Sequence, residues 1–218
     1  NFGNLQQELH KHLKLTSIGG IMLDLGVSSL QLDSAHRGFS FREDHNGPLD
    51  MRMNFSHGAE TAADIVNQAQ EFELARILFE YGDEPKADMI AREIVKARQE
   101  KPFKTTYDLV QVVEKAYGGI THFHKGKSKH SVCTRTFQAL RIHVNRELEN
   151  LQRVLNQAYD LIIPGGKCCV VSYHSGEDRI VKNHPKWPHQ SQLITPSKQE
   201  IEQNPRARSA KLRILEKQ

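Results

Sequence analysis

Apolar positions along this chain follow two periods. Leu5, Leu9 and Leu13 fall four apart and predict an amphipathic helix over 4–15. A continuous apolar run then spans Ile21 to Leu25, between Gly19-Gly20 and Gly26, the pattern of a buried strand closed by a turn. Thr61-Ala-Ala-Asp64 has the form of a capping box, with Asp standing in for Glu, and opens a helix continuing through Phe72, Ala75, Leu78 and Phe79. Gly82 and Pro85 end it and start a second, striped by Ala87, Ile90, Ile94 and Ala97. After Pro102, Thr105 or Thr106 caps a third, carrying Leu109, Val112, Val113 and Ala116. Phe137, Leu140, Val144, Leu148, Leu151, Leu155 and Ala158 then form one stripe, predicting a single long helix over 134–162 that Pro164-Gly165-Gly166 stops. Lys167 to Tyr173 is the second clear strand, and Lys211–Leu215 a third.

Three short helices in succession, with no strand between them, do not fit a doubly wound sheet. They fit a helical subdomain inserted between two strands of an α/β fold. The expected division is residues 1–58 with 134–218 for the sheet-bearing domain and 59–133 for the inserted helical one. So few strands fall short of a parallel sheet covered on both faces. The expectation is therefore a partial sheet, and a chain that forms the C-terminal part of a longer protein.

Both clear strands end in polar clusters. Asp24 closes the first, with Ser28 and Ser29 just beyond; Ser172-Tyr173-His174-Ser175 closes the second, beside Glu177, Asp178 and Arg179. Ligands of open α/β sheets bind outside the carboxyl ends of the strands. The two clusters are thus expected to face one crevice. The loop after the first strand is long, but Phe39, Phe41, Leu49, Met51 and Met53 argue that it is ordered.

Composition changes this picture little. The chain has 218 residues, 38% hydrophobic and 26% charged, as in a globular protein, and a net charge of +4 is a mild bias towards polyanions. No apolar run approaches the roughly 20 residues of a membrane-spanning helix. Three cysteines give neither a disulfide framework nor C-x-x-C metal spacing. Charge is more informative locally. Thr121 to Arg146 contains no Asp or Glu but has Lys125, Lys127, Lys129, Arg135, Arg141 and Arg146, a tract suited either to phosphate contact or to a solvated loop. His122, His124, His130 and Cys133 match no structural zinc site in spacing or ligand set, so no metal is expected.

DLGVSSLQLD, RGFSF and GPLDMRM (Asp24 to Met53), TRTFQALRIHVNREL (Thr134 to Leu148), PGGKCCVVSYHSGEDRIVK (Pro164 to Lys182) and NPRARSAKLR (Asn204 to Arg213) resemble, in order, the S-adenosylmethionine-dependent methyltransferases acting on cytidine N4 in small-subunit ribosomal RNA, a family of bacteria and mitochondria. The resemblance implies a Rossmann-like class I methyltransferase sheet with an inserted RNA-recognition subdomain. S-adenosylmethionine is the implied cofactor, and small-subunit rRNA or the assembling small subunit the implied partner. The family's glycine-rich cofactor loop and acidic ribose-binding residue are expected upstream of Asn1.

By motif position, Phe2, Asp24 and Gln31 match cofactor contacts. Asp50, Arg52, Arg135, Asn145, His174, Ser175, Arg206 and Arg208 match RNA contacts. Asp24, Ser28 and His174 are the candidates for the catalytic chemistry, with no general base assigned. Residue by residue the bland readings are a helix-start staple for Phe2 and a structural role for His174. The chain departs from the family pattern at Gly176, usually leucine, at Asn183-His184, at an extra His45-Asn46, and in a short Lys182–Pro196 segment. Leu30 and the lack of Pro in His130-Ser131-Val132 lean towards the mitochondrial branch and the mitochondrial matrix, with the bacterial cytoplasm as the alternative. Two other functions compete: a non-catalytic RNA-binding or ribosome-assembly factor that keeps the fold, and a methyltransferase for DNA or protein.

Overall fold

The computed structural model describes residues 2–55, 59–119, 129–187 and 192–218. In chain order its elements are α1 (Leu5–Leu13), β1 (Ile18–Asp24), α2 (Ser29–Asp33), α3 (Ala62–Gln68), α4 (Glu71–Gly82), α5 (Ala87–Glu100), α6 (Thr106–Ala116), α7 (Lys129–Asn145), α8 (Glu147–Leu161), β2 (Ile162–Ser172), α9 (Ser175–Lys182), β3 (Gln192–Ile194), α10 (Lys198–Gln203) and β4 (Lys211–Glu216). They form two compact units, Asn1–Gly26 with Glu147–Gln218, and Val27–Arg146.

The first unit holds a four-stranded sheet in the order β1-β2-β4-β3. β1 runs parallel to β2, with Leu23 opposite Val170 and Asp24 opposite Val171. A parallel pair needs a long crossover, and the sequence between these two strands supplies it. β4 lies antiparallel to β2, and β3 antiparallel to β4. This is the expected mixed α/β, Rossmann-like architecture. Leu23 and Leu25, Cys168 and Val170 of β2, and Leu215 of β4 bury against Leu151, Val154, Leu155 and Ala158 of α8, with Val181 and Trp187. β3 escaped the sequence reading because its three residues are all exposed and carry no period. Burial pushes the Cys168 thiol up to about 12, so it behaves as a small apolar core residue.

The second unit is helical. Thr61 caps α3 in a full capping box with Asp64, as its sequence predicts, and of the two candidates Thr105 and Thr106 it is Thr105 that caps α6, in a full box with Asp108. Ile90 and Ile94 of α5 and Leu109, Val112 and Val113 of α6 are buried with Leu74, Ile77 and Leu78 of α4.

Four expectations are corrected. The helix predicted over 134–162 is two helices, because Arg146 sits at φ 49°, a left-handed conformation that a right-handed helix cannot pass through. Its stripe divides accordingly: Phe137 and Leu140 enter the helical core, while Leu151, Leu155 and Ala158 enter the sheet core. The unit boundaries fall at 26/27 and 146/147, not at 58/59 and 133/134, since Phe39, Leu49 and Met51 of the long loop are buried in the helical core. The helix expected to run from Thr61 to Gly82 is interrupted between α3 and α4, and α4 buries Leu74, Ile77 and Leu78, leaving Phe72 and Phe79 74% and 65% exposed. Finally, the loop after β1 contains the short helix α2, opened by a Ser28–Gln31 capping box that hydrophobic periodicity cannot show.

Candidate functional site

Because β1 and β2 are parallel neighbours in register, their carboxyl ends emerge side by side. Leu25 N–H still donates to the Val171 carbonyl (3.1 Å) before Gly26, at φ 88°, turns the chain. There the Tyr173 hydroxyl donates to Asp24 Oδ1 over 3.0 Å. Burial, and then the adjoining carboxylate, raise the pKa of Tyr173, so the phenol stays a donor at neutral pH. Asp24 is exposed, and its second oxygen has no partner among the described residues. The two polar tips expected to share one crevice therefore meet in a hydrogen bond.

His174, the next residue, is turned into the fold. It is the N-cap of α9, its Nδ1 accepting from the Glu177 N–H at 3.4 Å. Glu177 in return accepts from the backbone N–H groups of Tyr173 (2.8 Å) and His174 (3.4 Å). His174 Nε2 lies 3.2 Å from Glu177 Oε1, within reach for charge attraction when the imidazole is protonated but not aligned as a hydrogen bond. Its ring is 8% exposed, so His174 shapes the strand–helix turn and offers no open base. Gly176 gives that ring its room: a Cβ there would meet the imidazole at 3.2 Å, so the departure from leucine accommodates the cap. One turn on, buried Asp178 receives Arg213 Nε at 2.6 Å and Lys211 Nζ at 2.9 Å, tying α9 to β4. Burial opposes ionisation of Asp178, but the bonds from Arg213 and Lys211 outweigh it and hold its pKa low. Tyr173, His174, Ser175 and Arg208, all predicted or adjoining the predicted site, line an open cavity of about 330 Å³ beside this tip, His174 with most of its ring enclosed. Thr195, Ser209 and Lys211 line it too. Thr195 and Ser209 carry no signal in the sequence beyond Ser209 standing next to Arg208, whereas Lys211 is one of the alternating basic residues near the end of the chain, a pattern suited to RNA phosphates or to an edge strand.

The remaining predicted residues are placed as follows. Phe2 is 40% exposed in a single 3₁₀ turn before α1. In the helical unit, Ser28 Oγ accepts from Gln31 N–H and Gln31 Oε1 accepts from Ser28 N–H, so Ser28 is a helix cap, not a nucleophile, and Gln31 keeps only its amide NH₂ available. Asp50 and Arg52 form a bidentate pair at 2.9 and 2.7 Å. Burial works against the Asp50 carboxylate, yet that pairing lowers its pKa. Arg135 Nη1 donates to the Asp83 carbonyl at the end of α4. Asn145 accepts from Met53 N–H and donates to the Met51 and Arg141 carbonyls, at 2.7, 2.7 and 2.8 Å. Ser28, Asp50 and Asn145 thus hold loop geometry, a role that motif position alone could not separate from catalysis for Ser28 or from RNA contact for Asp50 and Asn145. Arg206 and Arg208 are exposed in the 3₁₀ turn before β4. Lys125, Lys127 and the paired histidines lie outside the described residues.

Asn145→Ala is expected to lower stability by about 2–3 kcal/mol, since Met53 N–H and Met51 C=O would lose partners in a partly buried setting. Denaturant titration checks this. A variant with unchanged stability but weaker RNA binding would return Asn145 to the RNA-contact set.

A sequence profile of the MraW methylase family matches residues 1–193. The chain belongs to that family. Ribosomal RNA small subunit methyltransferase H of Coxiella burnetii is 44% identical to this chain over 238 residues, covering 99% of this chain and 74% of that protein. The enzyme of the same name from Deinococcus radiodurans is 47% identical over 208 residues, 93% of this chain and 64% of that protein. Both organisms are bacterial, which lends the mitochondrial expectation no support. The MraW methylase match spans the Asp24–Tyr173 tip and the α9 cap alike. No helix among the described residues is long and apolar enough to cross a membrane.

Proposed function

We propose that this protein transfers a methyl group from S-adenosylmethionine to N4 of a cytidine in small-subunit ribosomal RNA. The observation that carries the reading is the Asp24–Tyr173 pair at the carboxyl ends of two adjacent parallel strands, in a methylase-family chain whose relatives bear the name of a small-subunit rRNA methyltransferase. The residues present fit the nucleoside end of the cofactor. Asp24 offers an exposed carboxylate oxygen to hydroxyl or ammonium donors, and Phe2 offers an aromatic face. When bound, S-adenosylmethionine supplies an electrophilic methyl on a sulfonium, with no need for a metal.

The work left to the chain is placement. Cytidine N4 is a poor nucleophile because its lone pair is delocalised into the ring. An acceptor taking a hydrogen bond from one N4–H would localise that pair on nitrogen for attack, and the displaced N4 proton would pass to that acceptor or to water. With Asp24 engaged by the cofactor, the backbone carbonyls that follow it, of Leu25 and Gly26, would supply such an acceptor at the β1 tip. Tyr173 fixes the carboxylate and adds a ring against which a base can stack. The target base must be unpaired or extruded to reach this tip.

The test is methyl transfer from labelled cofactor to naked small-subunit RNA and to assembling subunits, with nucleoside analysis of the product. N4-methylcytidine is the expected product. Label in any other nucleoside, in DNA or in protein would overturn the substrate assignment, and no incorporation on any of them would overturn the enzyme reading.

A further inference from the structure

The cavity beside Tyr173 is built for more than the methylated base. Its volume of about 330 Å³ falls at the small end of the ~300–1,000 Å³ range of small-molecule sites. Two cations line it, Arg208 and Lys211, together with the hydroxyls of Ser175, Thr195 and Ser209; no carboxylate does. Arg208 is exposed and has no partner among the described residues. Lys211 directs one ammonium proton to Asp178 behind it at 2.9 Å, and with its side chain 42% exposed it keeps others for a ligand. Pro196 and Ile201 add an apolar patch. Cations, hydroxyls and a flat apolar wall in one hollow suit a phosphate, a ribose and a base.

Tyr173 decides which nucleotide. Tyr173 lines the cavity, and its hydroxyl donates to Asp24 on β1, which does not line it. Tyr173 thus connects the hollow to the carboxylate without placing the two in one pocket.

We infer that this cavity holds the RNA nucleotide flanking the target cytidine, with its phosphate on Arg208 and Lys211 and Tyr173 as the partition between flanking and reacting nucleotides. The inference rests on the proposed RNA methyl transfer and deepens it. It makes the cavity a determinant of sequence context, acting one nucleotide away from the chemistry.

The test compares cytidine with the dinucleotides CpU and UpC in calorimetric or NMR titrations of the wild-type protein and of Arg208→Gln. Wild type is expected to bind one dinucleotide more tightly than cytidine. Arg208→Gln should weaken that dinucleotide about tenfold, the scale of one charged phosphate contact, with cytidine and S-adenosylmethionine affinities unchanged. Ser209→Trp, which fills the hollow from an exposed position, should have the same selectivity. An equal loss for cytidine would mean that the target base itself occupies the hollow, overturning the partition. No loss for any ligand, or no dinucleotide preference in wild type, would place the cavity off the RNA path. Wild-type methylation of small-subunit RNA, run alongside, separates the two readings: if it proceeds while Arg208→Gln binds normally, only this inference falls.

Discussion

Asp24→Ala is expected to lower the affinity for S-adenosylmethionine at least about 100-fold. Hydrogen bonds to a charged acceptor contribute roughly 1.5–3 kcal/mol each, and a carboxylate with one oxygen open can take more than one. Loss of a single strong contact at the upper end of that range, or of two weaker ones, already gives a factor of about 100. The fold should tolerate the change, because Asp24 is exposed and its side chain is held among the described residues by the Tyr173 hydroxyl. Titration calorimetry with the cofactor, beside a melting curve, makes the measurement. Tyr173→Phe should cost less, about tenfold, since it frees the carboxylate without removing it. An Asp24→Ala protein that keeps its cofactor affinity would sink the site assignment.

Asp178→Ala should cost about 3–5 kcal/mol of stability, the largest change expected from a single substitution. It would leave Arg213, 7% exposed, as a buried charge without its carboxylate. Replacing only the geometry, in Asp178→Asn, should cost less, because one acceptor oxygen remains. The pH dependence has a definite sign. Folding depresses the pKa of Asp178, so its stabilisation is complete above the unfolded value near 4 and is lost as pH falls through the lower folded value. Wild type should therefore lose stability in acid below about pH 4 more steeply than Asp178→Ala, which has already lost it. Parallel acid-denaturation curves for the two proteins would refute this account. Because Asp178 ties the start of α9 to β4, its removal should also loosen Ser175 at the cavity, seen as weaker RNA binding in whatever protein remains folded.

Some elements announced themselves. Thr61 with Asp64 was legible as a helix start because the box closes within four residues, while the structure alone chose Thr105 over Thr106 and paired it with Asp108. The run at Ile21–Leu25 was legible because apolar residues bounded by glycines admit few other local structures. The stripe through 137–158 misled, since a heptad-like pattern says that each residue is buried, not against what. A left-handed Arg146 was enough to direct its two halves into different cores. Gly38 and Gly47 are explained only by the folded loop, where a Cβ would run into the carbonyls of Pro48 and Ala35.

The candidate site divides in the same way. Sequence alone placed polar candidates at two strand ends, since strand limits and the residues at them follow from local periodicity and turns. It could not say which polar residues would be occupied in holding the fold. His174 lies at a strand end as a catalytic residue would, yet its Nδ1 caps α9 and its ring is enclosed. Asn145 lies within a family motif, yet it clamps a loop 92 positions away.

What the order of residues determined, then, was the elements and the positions where a ligand could be met, because those depend on neighbours within a turn or two. What only the tertiary structure decided was partnership. Asp24 and Tyr173 are 149 positions apart, and their hydrogen bond exists because two strands pair in one parallel register. Hydrogen bonds and buried charges are satisfied by groups brought close in space, and distance in space is set by the whole packing of the chain rather than by any stretch of it.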